Sequence, residues 1–427
     1  MTKSNLFKSF LVIFVLVLTI DKGFACSTYK VTVNGSTMYG MNYDTWFNHP
    51  RIWFETNDIG AVFSGANNQG ADGFAPQSGM NVFGLSFGTL ATATPDNGVP
   101  SPNKKQIISR TNYLKDILHK CKTVEEVKAY IEQYDHSLLA NDIFLYTEKS
   151  GKYLIVEPYT LTLGSDNKYV LANFCPSTVK DFNTIKQQRY INGTTFLKNK
   201  IDTSLAFCTA LSDTMHVCRQ KIGDGTLLTS IYDLNNGVVH LYFYHDYKHQ
   251  VQFNLNEELA KGNHSFEIPS LFPTNKEYQK LLAFKTPINS SAIDWFLRYS
   301  LILFLISAIY FLVSYFRNRN IKYASYKLLL SALGLIMMYY VFVLATEVNI
   351  FYFPAPYKNY KPSLLDLAGY IPFLTLLLII PLLLINRKVF IENAWRKFSK
   401  WLFTINSLTY FTLIVLFAYW GLYNIFN

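Results

Sequence analysis

Cys26 is the residue of this sequence whose type and position best suit covalent chemistry. It follows a short apolar segment, and removal of that segment would make it the first residue of the mature chain. An N-terminal cysteine carries its own base, because its α-amino group has a reference pKa of about 7.7–8.0 and is partly neutral at physiological pH. That amine can take the thiol proton, and the thiolate can then attack an amide carbonyl. Such a site also needs an acceptor that orients the amine and donors for the oxyanion.

The first 25 residues have the three parts of a secretory signal peptide. Lys3 and Lys8 supply the positive start, residues 10–20 form an almost entirely apolar core, and Gly23 and Ala25 place small residues at the two positions that a signal peptidase inspects. The sequence therefore predicts a signal peptide over residues 1–25 that is cleaved after Ala25. An uncleaved anchor is a weaker interpretation, because the apolar run is short for a membrane span.

Lipidation is an alternative fate for Cys26, since a cysteine just after a signal core is where lipoproteins are modified. The usual lipoprotein signal has leucine three residues before the cysteine, where this sequence has Gly23. Lipidation would consume the thiol and normally acylate the amine, which are the two groups that catalysis requires. The two interpretations therefore exclude each other chemically.

Four further blocks of the sequence contain polar residues suited to such a site. Asp44 ends Gly40-Met41-Asn42-Tyr43-Asp44, Asn81 lies in Gly79-Met80-Asn81-x-x-Gly84-Leu85, Asn173 ends Val170-Leu171-Ala172-Asn173, and Arg189 lies in Gln187-Gln188-Arg189-Tyr190. With Ala25-Cys26-Ser27-Thr28, these blocks resemble the choloylglycine hydrolases and penicillin V acylases, which are N-terminal nucleophile (Ntn) hydrolases. The resemblance covers about residues 26–260 and rests on the order of the blocks.

The resemblance implies an α+β domain with the four-layer αββα Ntn-hydrolase fold and hydrolysis of linear, non-peptide amides through an acyl-enzyme on Cys26. Asp44 would orient the α-amine, Asn81 would contribute to the oxyanion hole, Asn173 would lie beside the nucleophile, and Arg189 is the candidate for the family's later active-site arginine. The implied substrate is a small N-acyl amide, such as an N-acyl amino acid, a bile-salt-like conjugate or a penicillin V-like side-chain amide. No metal or organic cofactor is implied. Taken alone, each asparagine and Asp44 would equally suit a turn.

Met41 departs from the family's pattern, which has an arginine three residues before the aspartate that Asp44 matches. A cation beside the thiol would help to lower its pKa. Without it, Cys26 is expected to be a slower nucleophile unless Arg189 or Arg51 replaces the charge. A non-catalytic membrane sensor that keeps the fold as a ligand-binding module is therefore a second hypothesis.

The elements that would position these residues follow a pattern of strands, helices and strands again. Alternating residues around Asn34-Gly35 predict a β-hairpin over 28–40, and a Gly-, Asn- and Ser-rich stretch at 64–79 predicts a loop. Helical spacing predicts two helices over 107–134, the second opened by a capping pattern at Thr123. Strands are predicted at 143–147, 153–157, 169–172, 230–232, 238–244 and 250–254.

Residues 291–427 form a second region, in which long apolar runs follow one another. These runs predict four transmembrane helices at about 295–316, 326–346, 366–386 and 402–424. Lys and Arg concentrate in the first and third connections, which the positive-inside rule places in the cytoplasm. The domain over 26–290 is then predicted on the extracytoplasmic side, as the signal peptide also requires. The runs contain few ionisable residues, so they are interpreted as an anchor rather than a transport path.

The composition also limits the partners and the cysteine chemistry. The net charge of +10 does not indicate nucleic acid, because basic residues are spread along the chain without a basic-aromatic motif. The expected partners are a small-molecule substrate and a lipid bilayer. The remaining cysteines, which are expected to be buried thiols, match no common zinc spacing: Cys121, Cys175, Cys208 and Cys218. A Cys208–Cys218 disulfide is the alternative in an oxidising compartment.

Overall fold

The computed structural model describes residues 26–45, 49–67, 74–92, 103–218, 225–283, 291–346, 348–351, 355–356 and 364–423. The described residues form two compact units, one that ends at Ala283 and one that begins at Ser291. The predicted signal peptide lies outside the described residues.

The first unit contains both strands and helices. Its described strands are β1 (Ser27–Val33), β2 (Ser36–Thr45), β3 (Pro50–Glu55), β4 (Ala61–Asn67), β5 (Phe74–Asn81), β6 (Ser86–Ala91), β7 (Lys105–Gln106), β8 (Tyr134–Asp135), β9 (Asp142–Thr147), β10 (Tyr153–Val156), β11 (Leu161–Gly164), β12 (Lys168–Leu171), β13 (Gly225–Asp233), β14 (Val238–Phe243), β15 (Asp246–Asn254) and β16 (His264–Glu267). Its described α-helices are α1 (Arg110–Lys120), α2 (Val124–Ile131), α3 (Gln188–Asn199), α4 (Leu205–Met215), α5 (Leu255–Leu259) and α6 (Lys276–Ala283).

Two antiparallel sheets form the centre of this unit. Sheet I has six strands in the order β12-β1-β2-β13-β14-β15, and sheet II has eight in the order β11-β10-β9-β6-β5-β4-β3-β16. In sheet I, β12 pairs with β1, although the two strands lie far apart in the sequence. This pairing brings together residues of the candidate site. The short strands β7 and β8 pair separately and in parallel.

Helices cover the outer face of each sheet. The face of sheet I that carries Tyr29 and Ile231 packs against α3 and α4. The face of sheet II that carries Phe63 and Phe144 packs against α1 and α2. Each of these interfaces buries a continuous apolar cluster, which is the main stabilising contribution expected for such layers.

The inner faces of the two sheets meet through polar side chains and a close approach of the strands. Ser64 Oγ of sheet II lies 3.2 Å from Ser230 Oγ of sheet I. Gly88 of sheet II faces Tyr39 of sheet I, and a Cβ at this position would lie 2.4 Å from the Tyr39 hydroxyl, so glycine is required here. The layers therefore follow in the order helix, sheet, sheet, helix, and the predicted four-layer αββα arrangement is confirmed.

Local sequence signals explain several of these elements. Asn34 and Gly35 have φ values of 51° and 77°, as the two left-handed positions of a tight hairpin require, so the predicted hairpin is confirmed. Thr123 caps α2 by accepting from Glu126 N at 3.2 Å. The first helix begins only at Arg110, because Ser109 caps it.

One prediction of local structure was wrong in its described part, and two helices were not predicted. Within the loop predicted over 64–79, residues 64–67 end β4 and residues 74–79 lie in β5, and these strands pair with each other and with neighbouring strands of sheet II, whereas residues 68–73 lie outside the described residues. No helices were predicted between 173 and 229, yet α3 and α4 lie there and cover sheet I. Gly193 weakens the helical pattern of α3, but it permits close packing, since a Cβ there would lie 2.6 Å from Met215 Sδ.

The second unit is all-helical among its described residues. Its long helices are α7 (Ser291–Arg317), α8 (Ser325–Thr346), α10 (Ile371–Ile391) and α11 (Lys397–Tyr419), and the short α9 (Leu364–Ala368) precedes α10. Four helical segments are long and apolar enough to cross a membrane, as predicted. Many of their apolar side chains face outward, which suits contact with lipid.

Candidate active site

Strand pairing in sheet I brings Cys26 and Asn173 together. Thr28 of β1 lies opposite Leu171 of β12, so the residues just outside these strands, Cys26 and Asn173, also come face to face. Cys26 N donates to Asn173 Oδ1 at 2.8 Å, and both residues are buried. The nitrogen is a peptide N–H while Ala25 precedes it, and it becomes the α-amine if the chain is cleaved there.

Asn173 is the centre of this hydrogen-bond arrangement. Its Oδ1 also accepts from Arg189 Nη2 at 2.5 Å, and its Nδ2 donates to Ala91 O at 2.6 Å. Two donors therefore meet the amide oxygen and one carbonyl meets the amide nitrogen, which fixes the orientation of the side chain. The second Nδ2 hydrogen has no acceptor among the residues that the structure describes.

Arg189 lies in the first turn of α3 and also contacts the nucleophile residue directly. Its Nε donates to Cys26 O at 3.1 Å. Gln187, which the sequence analysis missed, holds the backbone of Asn173 at two points, accepting from Asn173 N at 3.1 Å and donating to Asn173 O at 3.0 Å. The segment that begins α3 therefore supplies both the cation and the support of Asn173.

Asp44 lies at the end of β2, close to the thiol. Cys26 Sγ is 3.7 Å from Asp44 O. Thr226 Oγ1 donates to Asp44 Oδ1 at 2.5 Å and accepts from Val217 N at 2.9 Å. Because the Val217 N–H points at the Thr226 oxygen, the Thr226 hydroxyl proton is directed to the carboxylate, which fixes the Asp44 side chain. Thr226 gave no recognisable signal in the sequence, since it belongs to a distant strand.

Asn81 is not brought to this site, in contrast to the position that the resemblance implies for it. It lies opposite Ala61 in sheet II, so its side chain shares the outer face that packs against α1. Its Nδ2 donates to Leu118 O at 2.9 Å and to Cys121 O at 2.8 Å, which uses both amide hydrogens. The Asn81 side chain therefore joins the β5–β6 turn to the end of α1 and does not face Cys26.

Replacement of Asn81 with alanine is expected to lower stability by about 3 kcal/mol, because it leaves several buried backbone groups without their partner. Besides the two carbonyls of α1, the side chain accepts from Phe83 N and Leu85 N, each at 3.1 Å. The measurement is chemical denaturation of the variant and of the wild type. An unchanged unfolding midpoint would contradict this structural role.

The structure also shows which of the two candidate arginines lies near Cys26, where Met41 supplies no charge. Met41 is buried between the sheets and supplies no charge. Arg51 forms an exposed ion pair with Glu267 at the edge of sheet II, whereas Arg189 contacts Cys26 itself. Of the two arginines that the sequence offered, Arg189 is therefore the one next to the thiol.

The Cys26 thiol is protonated while the chain continues through Ala25. Burial, and after it the negative charge of Asp44, raise the pKa of the Cys26 thiol to about 12, and Arg189 opposes this rise only in part. With that pKa, roughly one thiol in 10⁵ is ionised at pH 7. Cleavage of the chain after Ala25 would place the positive α-ammonium of Cys26 beside the sulfur, and this charge favours the thiolate.

Ala91 places a backbone N–H next to Asn173. Thr92 N donates to Asn141 O, so the adjacent pair Ala91–Asp142 is of the non-hydrogen-bonded type, and the N–H and C=O of Ala91 point away from β9. Ala91 O accordingly accepts from Asn173 Nδ2. Among the described residues, the pairing of β5 with β6 ends three residues before Ala91. The N–H of Ala91 therefore points to the side on which the Asn173 amide lies.

None of the five cysteines forms a disulfide, so the alternative of a Cys208–Cys218 disulfide is not realised. Cys26, Cys121, Cys175 and Cys208 are buried, whereas Cys218 is exposed. The exposed thiol of Cys218 must be removed in any experiment that follows the reactivity of Cys26.

Solved structures of known hydrolases are similar to part of this chain. No family model matches the chain, and no curated protein matches it. An arginine-to-leucine variant of conjugated bile acid hydrolase from Clostridium perfringens is similar at a TM-score of 0.44 and 18% identity, over 59% of this chain and 98% of that one. A cysteine-to-alanine variant of that enzyme is similar at 0.44 and 16%, over 59% and 97%. Penicillin V acylase from Agrobacterium tumefaciens is similar at 0.39 and 14%, over 51% and 83%.

Proposed function

We propose that the first unit is a cysteine amidohydrolase whose nucleophile is Cys26 at the N-terminus of the processed chain. The observation that carries the proposal is the arrangement around Asn173, where a single amide contacts Cys26 N, Arg189 and the Ala91 carbonyl. A buried thiol, its backbone nitrogen, a carboxylate and a cation converge here. These are the groups that an N-terminal nucleophile requires.

The reaction begins when the neutral α-amine of Cys26 takes the thiol proton, directly or through one water. The thiolate then attacks the carbonyl carbon of an N-acyl amide, and a tetrahedral oxyanion forms. The C–N bond breaks as the α-ammonium returns its proton to the leaving nitrogen, which departs as an amine and leaves a thioester on Cys26. Water gives a proton to the same amine and attacks the thioester carbonyl. The C–S bond then breaks, the carboxylic acid leaves, and the α-ammonium returns its proton to the thiolate.

Asn173 and Ala91 are proposed as the oxyanion donors, in place of the Asn81 side chain. The free Nδ2 hydrogen of Asn173 and the Ala91 N–H lie on the same side of β6. Backbone and amide donors that are fixed before the reaction stabilise an oxyanion without reorganisation. The Asn173 donor is expected to contribute strongly, because its side chain is buried.

Asp44 and Arg189 are proposed to act on the charges of the nucleophile. Asp44, held by Thr226, would accept from the α-ammonium and orient it toward the sulfur. Arg189 would supply the positive charge that Met41 does not, from its position at the carbonyl oxygen of Cys26. Because position 41 carries no cation, the stability of the Cys26 thiolate is expected to depend mainly on the charge of the α-ammonium.

The second unit is proposed to anchor this hydrolase as a multi-pass membrane protein. Its four apolar helices are long enough to span a bilayer. With a signal peptide cleaved after Ala25 and cytoplasmic basic connections, the domain over 26–290 would lie on the extracytoplasmic side and the region over 291–427 in the membrane. The substrate is proposed to be a linear, non-peptide N-acyl amide, and proximity to lipid favours amphiphilic ones.

The full-length membrane protein should hydrolyse N-acyl amino acids and prefer long acyl chains, because such substrates concentrate in the bilayer. The measurement compares kcat/KM for an acyl-chain series in vesicles, with Cys26→Ala as the inactive control. Equal rates for short and long chains would contradict the preference. Binding of the amides without turnover by the processed protein would favour the ligand-binding module, and a lipid-modified Cys26 would exclude the hydrolase.

A further inference from the structure

Two connections of the second unit meet at one end of its helices. The segment between α7 and α8 contacts the segment between α10 and α11, because Trp395 Nε1 donates to Lys322 O at 3.2 Å. Lys322 and Tyr323 both bond to the carboxylate of Glu392. The two connections therefore form one continuous surface at this end of the unit.

Lys327 is buried beside this junction without an acidic partner. It lies in the first turn of α8 and is only 2% exposed. Its Nζ donates to Ser314 Oγ at 2.8 Å and lies 5.3 Å from the centroid of the Trp395 ring. No carboxylate of the described residues lies within ion-pair distance of this Nζ, and Glu392 is already engaged by Lys322 and Tyr323. A buried cation without a counter-ion is costly.

The surroundings of Lys327 add positive charge instead of neutralising it. Arg396 lies close enough to repel Lys327 electrostatically. Both α8 and α11 begin at this junction, so their positive dipole ends lie here. Arg396 is the N-cap residue of α11 and makes no side-chain capping bond, so it supplies no acceptor to the first N–H groups of that helix.

The connections and helix ends at this junction carry both basic and exposed apolar side chains. The further cations of the two connections and adjoining helix ends are Arg317, Arg319, Lys322, Arg387, Lys388, Lys397 and Lys400. Three exposed apolar side chains lie on the adjoining helix ends, with exposed fractions of 56% for Phe316, 60% for Phe398 and 53% for Trp401. A ligand that matches this junction has an anionic head and apolar chains.

We propose that the junction binds the phosphate of an anionic phospholipid, with Lys327 and Arg396 as its charged contacts. The phosphate would neutralise the buried Lys327 and accept from the uncapped start of α11, while the acyl chains would lie along the exposed apolar side chains. Basic pockets between membrane helices are suited to lipid head groups of this kind. This inference concerns the second unit and does not depend on the proposed hydrolase activity.

The test measures the thermal midpoint of the purified full-length protein in a neutral detergent, with added phosphatidylglycerol, phosphatidylcholine or inorganic phosphate. Phosphatidylglycerol at a large excess over its Kd should raise the midpoint of the wild type by about 5 °C or more. Phosphatidylcholine and inorganic phosphate should raise it much less. A full shift with inorganic phosphate would assign the site to a free anion and overturn the lipid proposal.

Lys327→Met is the decisive variant, and Arg298→Gln is its matched control. Both remove one positive charge from the second unit, but Arg298 is exposed, lies near the start of α7 away from the junction and pairs with Asp294. Lys327→Met should lose the phosphatidylglycerol shift and keep an equal or higher midpoint without lipid, whereas Arg298→Gln and Lys327→Arg should keep the shift. A retained shift in Lys327→Met, or a lower midpoint of that variant without lipid, would overturn the proposal.

Discussion

A chain that cannot be cleaved after Ala25 should keep its fold and have an unreactive Cys26, whereas the processed chain should be alkylated at Cys26 at least about a hundredfold faster at pH 7. In the uncleaved chain, burial and the charge of Asp44 raise the pKa of the Cys26 thiol to about 12. Cleavage creates an α-amine next to the sulfur, which both accepts the proton and stabilises the thiolate when charged. Reactivity should therefore appear with processing.

The experiment compares the wild type with Ala25→Phe, which places a bulky residue where a signal peptidase requires a small one. Both proteins carry Cys218→Ser, because Cys218 is the exposed thiol. N-terminal mass analysis identifies the processed species, and iodoacetamide labelling followed in time gives the alkylation rate of Cys26. Equal rates in the two proteins would remove the basis for an N-terminal nucleophile, and an acylated Cys26 would establish lipidation instead.

Asn173→Asp should lower kcat/KM by about 10²–10³-fold while the protein stays folded. The substitution keeps the size of the side chain and the acceptor for Cys26 N and Arg189. It removes the Nδ2 donor, however, so that a carboxylate oxygen faces the Ala91 carbonyl at the position of a 2.6 Å hydrogen bond. The oxyanion loses one donor and gains a negative neighbour, which opposes the charge of the transition state.

Asn81→Ala is the matched control for Asn173→Asp. Its side chain makes four hydrogen bonds, two within the β5–β6 turn and two that join this turn to the end of α1. We expect Asn81→Ala to lower the unfolding free energy with little effect on kcat/KM at a temperature where it stays folded, and Asn173→Asp to show the reverse pattern. Similar losses of kcat/KM in both variants would show that the two asparagines do not have separate roles.

The local elements that the sequence predicted correctly are those with a local cause. Asn34-Gly35 sets the hairpin because its two residues adopt left-handed conformations at little cost. Thr123 and Glu126 define the start of α2 through one hydrogen bond within a turn. The described parts of the stretch over 64–79 were wrongly predicted as a loop, because residues such as Ser64 and Gly65 become strand only through pairing with neighbours in sheet II.

The candidate site likewise contains residues that the sequence predicted and supporting groups that it missed. Cys26 and Asn173 were predicted as neighbours, and Arg189 as an active-site arginine, from the order of short blocks. The groups that support them were missed, because they act from distant elements or through the backbone. Thr226 carries no motif, Gln187 is one of two adjacent glutamines, and Ala91 contributes only its main chain.

The sequence by itself determined the cysteine behind a signal-like segment, the four apolar runs and the order of the polar blocks, because each depends on residue type and local spacing. Only the tertiary structure decided which polar residues meet. The register of β1 with β12 sets Asn173 against Cys26, and the register of β4 with β5 turns Asn81 to the outer face of sheet II. Side chains alternate between the two faces of a strand. A shift of one residue in the strand pairing therefore determines whether an asparagine faces the nucleophile or a helix. For Cys26, the sequence supplied the thiol, and the fold supplied the burial and the charges that control its pKa.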